Sequence, residues 1–440
     1  MKNQKYIREF TKYTTSNIVG MMSVSCYILA DTFFISRAMG AYGLAALNFA
    51  LPAFGFVLGS GLMLGIGGAT RYNIKKNQGD HEGANQAFTN TIVLMTGFIL
   101  FFMICGQFFS GNITRALGTD AAVFEMSRIY VQVILLFAPV MMTNMVLGCF
   151  IRNDGAPRLA MVAMACNNMA NILLDYIFLI RMELEMFGAA LASGLATFMS
   201  LFLFLGYFLM KKNGFHLIRC KLTLESTKKI FGVGLPAFIT EISVSVVMVT
   251  FNVIILRISG NIGVAAFGVI ANILIIVIAI YNGLAQGVQP LISKYYGRKE
   301  PCLVRLMLRY ALVLMIGIST VVYLGVFFGA NPIVGIFNSE QNPIFQQLAV
   351  SGLRLYFVGI IFVGFNIVLT TYFASIENVR PAHGISLLRG FIVILPMVFL
   401  LSHLGGMTGV WLSFPLTELV VSGIGGWLYY YFSKRKKADE

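Results

Sequence analysis

The sequence predicts an all-α integral membrane protein, with twelve transmembrane helices in two six-helix lobes related by a pseudo-two-fold axis along the membrane normal. Three observations carry that expectation. Hydrophobic residues make up 58% of the 440-residue chain and charged residues only 11%, against about 25% charged in soluble domains. The bilayer is therefore the solvent. The apolar residues gather into twelve stretches of spanning length, and the second half of the chain repeats the first.

Taken in order, the stretches run over 13–37, 44–70, 86–109, 129–150, 158–180, 187–210, 231–256, 263–289, 305–329, 352–374, 384–403 and 409–432. Each meets the roughly 20 residues that a helix needs to cross the hydrocarbon core. Turn formers and charges fill the gaps: "SRAMGAYG", "RYNIKKNQGDHEGA", "IRNDGAPR", "KKNGFHLIRCKLTLESTKK", "SKYYGRKEPC" and "ENVRPAHG".

Charge sets the orientation. With the N-terminus inside, 26 of the 32 Lys and Arg residues fall on inner segments, and only Arg37, Arg115, Arg128, Arg181, Arg257 and Arg354 fall at outer edges. That asymmetry obeys the positive-inside rule, and an even number of spans returns the C-terminus to the cytoplasm. The net charge of +14 is dispersed over the inner loops, which suits anionic lipid headgroups and argues against a nucleic-acid partner. The charged start leads into a helix too long and too polar for a cleavable signal. No cysteine lies in an outer loop, so no disulfide framework is expected.

A shift of 220 residues lays "ISRAMGAYGLAA" (35–46) over "ILRISGNIGVAA" (255–266) and matches Asp120 with Glu340. The expected division is an N-terminal lobe over 1–210, an inter-lobe loop over 211–230 and a C-terminal lobe over 231–440. Six spans per copy is even, so both copies insert with the same orientation. The interface between them then opens alternately to each side.

Four acids lie inside spans: Asp31, Asp175, Glu241 and Glu418. Asp31 precedes Arg37 by six residues and Asp175 precedes Arg181 by six, which places each about 9 Å below the outer boundary. Tyr27 shares a helix face with Asp31, Asn171 shares one with Asp175, and Ser193 reaches a similar depth in span 6. A carboxylate at mid-membrane costs about 2.5–3.5 kcal/mol, far more than the ~0.6 kcal/mol that an interhelical hydrogen bond returns. Two acids at one depth thus point to a cation or proton site. Glu241 is expected roughly 24 Å down, near the inner surface and outside that cluster. Asn282, Gln286 and Gln289 form a stripe suited to lining the cleft or binding a neighbouring helix. Met141 opens the run "MMTNM", which is either an adaptable surface for amphiphiles or lipid-facing filler.

Together "ADTFFISRAMG" in span 1, "NILLDYIFL" in span 5, "GAALAS" in span 6, "GLP" at 234–236 and "GVQPLISKYYG" after span 8 resemble the multidrug and toxic compound extrusion (MATE) transporters over nearly the whole chain. The resemblance implies a secondary active exporter in the bacterial cytoplasmic membrane. It would act as a monomer and exchange amphiphilic organic cations for Na+ or H+, with no tightly bound cofactor. It also implies a cation site in the N-lobe. There Asp31, Asn171, Asp175 and Ser193 match the family's site residues and Tyr27 an aromatic one turn before the first Asp; Asp31, Asn171 and Asp175 would be metal ligands if the ion is Na+. Two positions depart from the family pattern. Ser16 stands where a span-1 Pro is often found, leaving Gly20 to permit flexing, and Val244 stands where one branch has a span-7 Glu.

Other classes fit less well. The loop after span 2 lacks the charged Gly-Asp-Arg-Gly pattern of major-facilitator carriers. A flippase for lipids or lipid-linked saccharides, from a related superfamily, is the alternative; it calls for basic residues in the cleft, and no Lys lies mid-span. The sequence contains no Gly-x-Ser-x-Gly, HExxH or P-loop motif, so an enzyme is not expected.

Overall fold

A computed structural model describes residues 2–338 and 341–438, leaving Glu340 of the repeat match outside. The described residues are helical apart from short connections and contain no strand. In chain order the spans are α1 (Gln4–Gly40), α2 (Tyr42–Asn77), α3 (His81–Ala116), α4 (Phe124–Leu136 and Ala138–Asn153, bent by 53°), α5 (Pro157–Arg181), α6 (Glu185–Leu209), α7 (224–259), α8 (261–297), α9 (Pro301–Phe337), α10 (Pro343–Ser375), α11 (379–405) and α12 (407–434). Both chain ends lie at the same end of the bundle, here called the terminal end; the other is the hairpin end.

Three connections at the hairpin end are single residues, not the loops that the gaps suggest. Gly40, Gly260 and Gly406 adopt φ, ψ of 62°, −147°; 61°, −157°; and 53°, −133°. That combination of positive φ and strongly negative ψ is closed to residues with a Cβ. One glycine therefore reverses a chain that is helical on both sides.

The backbone carries the 220-residue repeat. Gly40 and Gly260 are 220 apart, as are the positive-φ residues Gly79 and Lys299 that end α2 and α8. The fourth helix of each lobe breaks at Phe137 or Phe357, again 220 apart. The fifth helix of each lobe contains a π-helical turn, at Tyr176–Arg181 in α5 and Leu388–Ile392 in α11. The wide turns show in the bonds from Met182 N to Ile177 O and from Val393 N to Leu388 O, both 2.9 Å.

Each lobe has its own apolar core. One gathers residues from Ile35 to Ile230; the other runs from Phe251 to Phe414 and also takes Phe10 and Tyr13 from the first turns of α1. Outside the cores Phe101, Phe108, Phe202, Phe328 and Ile336 are exposed, as lipid-facing side chains should be. The inter-lobe connector begins α7 at Leu224, seven residues before the expected span, with Thr223 as its cap. Its extended part belongs to the N-lobe. Phe215 is buried against Tyr72, Phe88 and Phe150, and Asp154 accepts hydrogen bonds from Tyr72, Lys76, Tyr207 and Gly214 N.

Toward the terminal end the lobes meet at backbone contact. A Cβ on Gly234 of α7 would fall 1.8 Å from Met63 O of α2, and one on Gly287 of α8 would fall 2.7 Å from Thr14 Cα of α1. Only glycine permits helices to cross so closely.

Candidate cation site and inter-lobe cavity

The residues expected to form the cation site come together. Asp31 and Asp175 are both buried, Asp175 completely, and each leaves its Oδ1 with no hydrogen-bond partner among the described residues. They lie within electrostatic range of one another. Asn171, one turn before Asp175, bridges α5 to α6. With its amide turned to satisfy both ends, it donates to Asp175 Oδ2 at 3.0 Å and accepts from Ser193 N and Oγ at 3.2 and 3.3 Å. Tyr27 stands near both carboxylates and also near Glu241.

A further group joins them that sequence reasoning missed. Tyr130 of α4 is buried and lies beside Ser193, within electrostatic range of Asp31 and Asp175. A tyrosine in an apolar helix gives no sequence signal of its own, and only the packing of α4 on α1 and α6 reveals it. Asp175 is the last residue before the π turn of α5, a device that frequently marks functional positions in helices. The cluster holds two carboxylates and no ion-paired cation among the described residues. Two ionised carboxylates buried this way would be costly, and a bound proton or metal cation would each remove that cost.

A second polar region lies between the lobes, around a cavity of about 110 Å³. Glu241, Asn282, Gln286 and Gln289, each a possible cleft-lining residue from the sequence, are on its wall. Met141 is not; it is buried in the N-lobe core, because its face of α4 turns inward. Glu241 lies 17 residues into α7 and 19 residues before Gly260, about 28 Å from the hairpin end, against nine residues for Asp31 before Gly40. Two basic residues reach the cavity wall, contrary to the reading of a cleft without them: Arg152 of α4 and Arg389 of α11. Arg389 pairs with Glu418 at 2.6 Å. Arg152 bonds Asn17 at 2.8 Å and Gln286, with no carboxylate partner among the described residues.

Toward the terminal end a polar seam closes the cavity. Asn153 and Gln289 pair across the lobes at 3.0 Å, Asn73 reaches Pro290 O at 2.8 Å, and Gln289 donates to Thr70 at 2.8 Å. The ion pairs Arg71–Glu377 at 3.0 Å and Lys294–Glu9 at 2.5 Å flank it. The cavity is smaller than the roughly 300–1,000 Å³ of a drug-sized site, so a ligand of that size requires the lobes to part.

Two repeated lobes around a polar cavity, sealed at one end, define a membrane transporter rather than an enzyme. The chain matches the MatE family over residues 17–177 and 236–400, and it belongs to that family. It is 25% identical to the multidrug export protein MepA of Staphylococcus saprophyticus, across 97% of this chain and 94% of that protein. Identity to MepA of Staphylococcus aureus strain MRSA252 is also 25%, across 96% and 93%. Its fold matches an outward-facing multidrug resistance MATE family transporter of the MOP superfamily with a TM-score of 0.91, at 23% identity, covering 98% of this chain and 96% of the other.

Proposed function

We propose that this protein is a multidrug exporter that moves amphiphilic organic cations outward in exchange for Na+ or H+ by alternating access. The observation that carries the coupling is the buried pair Asp31–Asp175, bridged through Asn171 to Ser193 and left without a counter-charge. When the hairpin end is open, a cation enters and cancels the carboxylate charge. The N-lobe then repacks around a neutralised site and releases substrate. Inward movement of one elementary charge supplies about 2.3 kcal/mol per 100 mV, provided that loading is obligatory for the return.

The terminal end is the cytoplasmic side in this reading, as the Lys and Arg distribution supports, and the membrane is a bacterial cytoplasmic membrane. One chain carries both lobes and the cavity, so the monomer is the working unit, with no tightly bound cofactor. A flippase would need free basic groups for a pyrophosphate. Arg389 is already held by Glu418, and Arg152 by Asn17 and Gln286.

Efflux from proteoliposomes under Na+ and pH gradients imposed separately tests the proposal and identifies the ion. Export that survives collapse of both gradients and follows ATP would reject it. Single cysteines at Thr119 and Gln341 should react with an impermeant reagent from outside intact cells; labelling only after lysis would reverse the orientation.

A further inference from the structure

Below the two carboxylates, toward the terminal end, α1 and α5 present oxygen-bearing side chains that the coupling site does not use. Ser23, Tyr27 and Asp31 recur every four residues on α1, as do Asn167, Asn171 and Asp175 on α5. Each set keeps to one helix face and extends about 12 Å. Asn168 donates to Ser23 Oγ across the two helices at 2.7 Å, Asn167 donates to Asn168 Oδ1 at 3.1 Å, and Ser23 donates to Gly20 O at 2.6 Å. Asn167 Oδ1 is buried with no partner among the described residues. After these bonds Ser23 Oγ and Asn168 Oδ1 each keep a free lone pair. Three neutral oxygens therefore gather in one place, one of them orphaned.

The surroundings give this cluster a direction. Farther toward the terminal end the α1–α5 contact turns apolar, with Gly20 packed on Met161 and Met164. On the hairpin side of the carboxylates the Phe34 and Tyr176 rings meet at 6.2 Å, with Tyr176 bonded by Arg181. The polar strip thus continues from the acid pair in one direction only. A buried amide oxygen without a donor costs about 1–3 kcal/mol. Neutral amide and hydroxyl oxygens are ligands for hard metal cations, and none of the three titrates to hold a proton.

We propose that Ser23, Asn167 and Asn168 form a second, neutral subsite for a monovalent metal cation of the Na+ type, which passes between it and the Asp31–Asp175 pair. This rests on the reading of that pair as the coupling site. Asn171 on α5 and Tyr27 on α1 stand between the two, each about 6 Å along its helix from both, so polar side chains divide the passage into two short steps. A cation leaving two carboxylates then meets oxygen ligands at each stage instead of apolar helix.

The test is Na+-dependent export of a lipophilic cation dye from proteoliposomes of the full chain, with Na+ varied at fixed pH. Asn167→Leu and Ser23→Ala should each raise the half-saturating Na+ concentration, by about tenfold for a loss of ~1.4 kcal/mol. Asn167→Ser, which keeps an oxygen, should recover most of it. Thermal unfolding of each variant identifies any that fail to fold, and Ser23→Ala removes only one oxygen. If Asp31→Asn and Asp175→Asn abolish Na+ dependence while the Asn167 and Ser23 variants follow the wild-type curve, the subsite is wrong and the coupling site stands. Wild-type export that follows pH without Na+ also overturns the subsite alone. If the Asp variants themselves keep wild-type Na+ dependence, the coupling reading fails and the subsite with it.

Discussion

In the N-lobe, Asp31 and Asp175 lie buried with an oxygen of each unpartnered, whereas in the C-lobe Glu418 is engaged on both oxygens, by Arg389 at 2.6 Å and Asn366 at 2.7 Å. The same backbone device serves both. A π turn follows Asp175 in α5, and the corresponding turn in α11 contains Arg389. Gene duplication explains the shared backbone, and the side chains explain the divergence. Glu418 has its positive charge supplied by the Arg389 guanidinium, while Asp31 and Asp175 have no basic side chain paired with them among the described residues. An acid already paired with a guanidinium is a poorer place for an ion to bind than one without a partner, which is why the proposed coupling site is the N-lobe pair and not Glu418.

The sharpest way to break that contrast is to neutralise the N-lobe acids. Asp31→Asn and Asp175→Asn should each reduce gradient-driven dye efflux to the level of empty vesicles, with expression near wild type. Wild-type pumping by both would place the site elsewhere. Glu418→Gln should act on stability instead. Removing one partner of a buried pair costs about 3–5 kcal/mol, and replacing both partners by apolar residues is often close to neutral. Thermal unfolding should therefore show Glu418→Gln well below wild type and the double variant Arg389→Met/Glu418→Met largely restored, with ion dependence unchanged in protein that folds. Loss of ion dependence at unchanged stability would erase the distinction between the lobes.

Smaller effects grade the N-lobe cluster itself. Asn171→Ala and Ser193→Ala should weaken coupling several-fold, and more if the ion is Na+, since a proton does not need their oxygens. Tyr130→Phe removes a hydroxyl beside Ser193, at most one hydrogen bond of about 0.5–1.5 kcal/mol, and should shift the ion concentration for half-maximal efflux by less than about tenfold. A full loss of transport in Tyr130→Phe would make the hydroxyl a principal ligand.

Much of this was legible in the sequence because a membrane helix is nearly one-dimensional. Counting from Arg37 and Arg181 placed Asp31 and Asp175 at one depth, and the i, i+4 spacing brought Asn171 with them. The start of α7 at Leu224 was not legible, because hydropathy reports where a helix enters lipid and not where it begins. Rotation about the helix axis was less visible. Met141 faces the N-lobe core, and Tyr130 lies within electrostatic range of the acids, yet both are apolar-run residues whose direction depends on neighbouring helices. The partnership of Arg389 with Glu418 joins residues 29 positions apart and has no local pattern at all. The glycines of the hairpin end read as loops because turn residues cannot be told from a one-residue reversal until the dihedrals are known.

Those single-glycine reversals set the mechanics of the inter-lobe seam. α1 and α2 are joined through Gly40 alone and α7 and α8 through Gly260 alone, while α1 lies on α8 at Thr14–Gly287 and α2 on α7 at Met63–Gly234. Four helices joined at two single-residue reversals and two glycine crossings form a closed circuit, with Pro52 in α2, Pro236 in α7 and Pro290 in α8 as the points where a helix can bend. A displacement at one crossing is either transmitted to the other or taken up by a bend at one of these prolines, with no slack connection to absorb it. Any parting of the lobes breaks the bonds of Arg152, Asn153 and Gln289 together, because all three cross that seam.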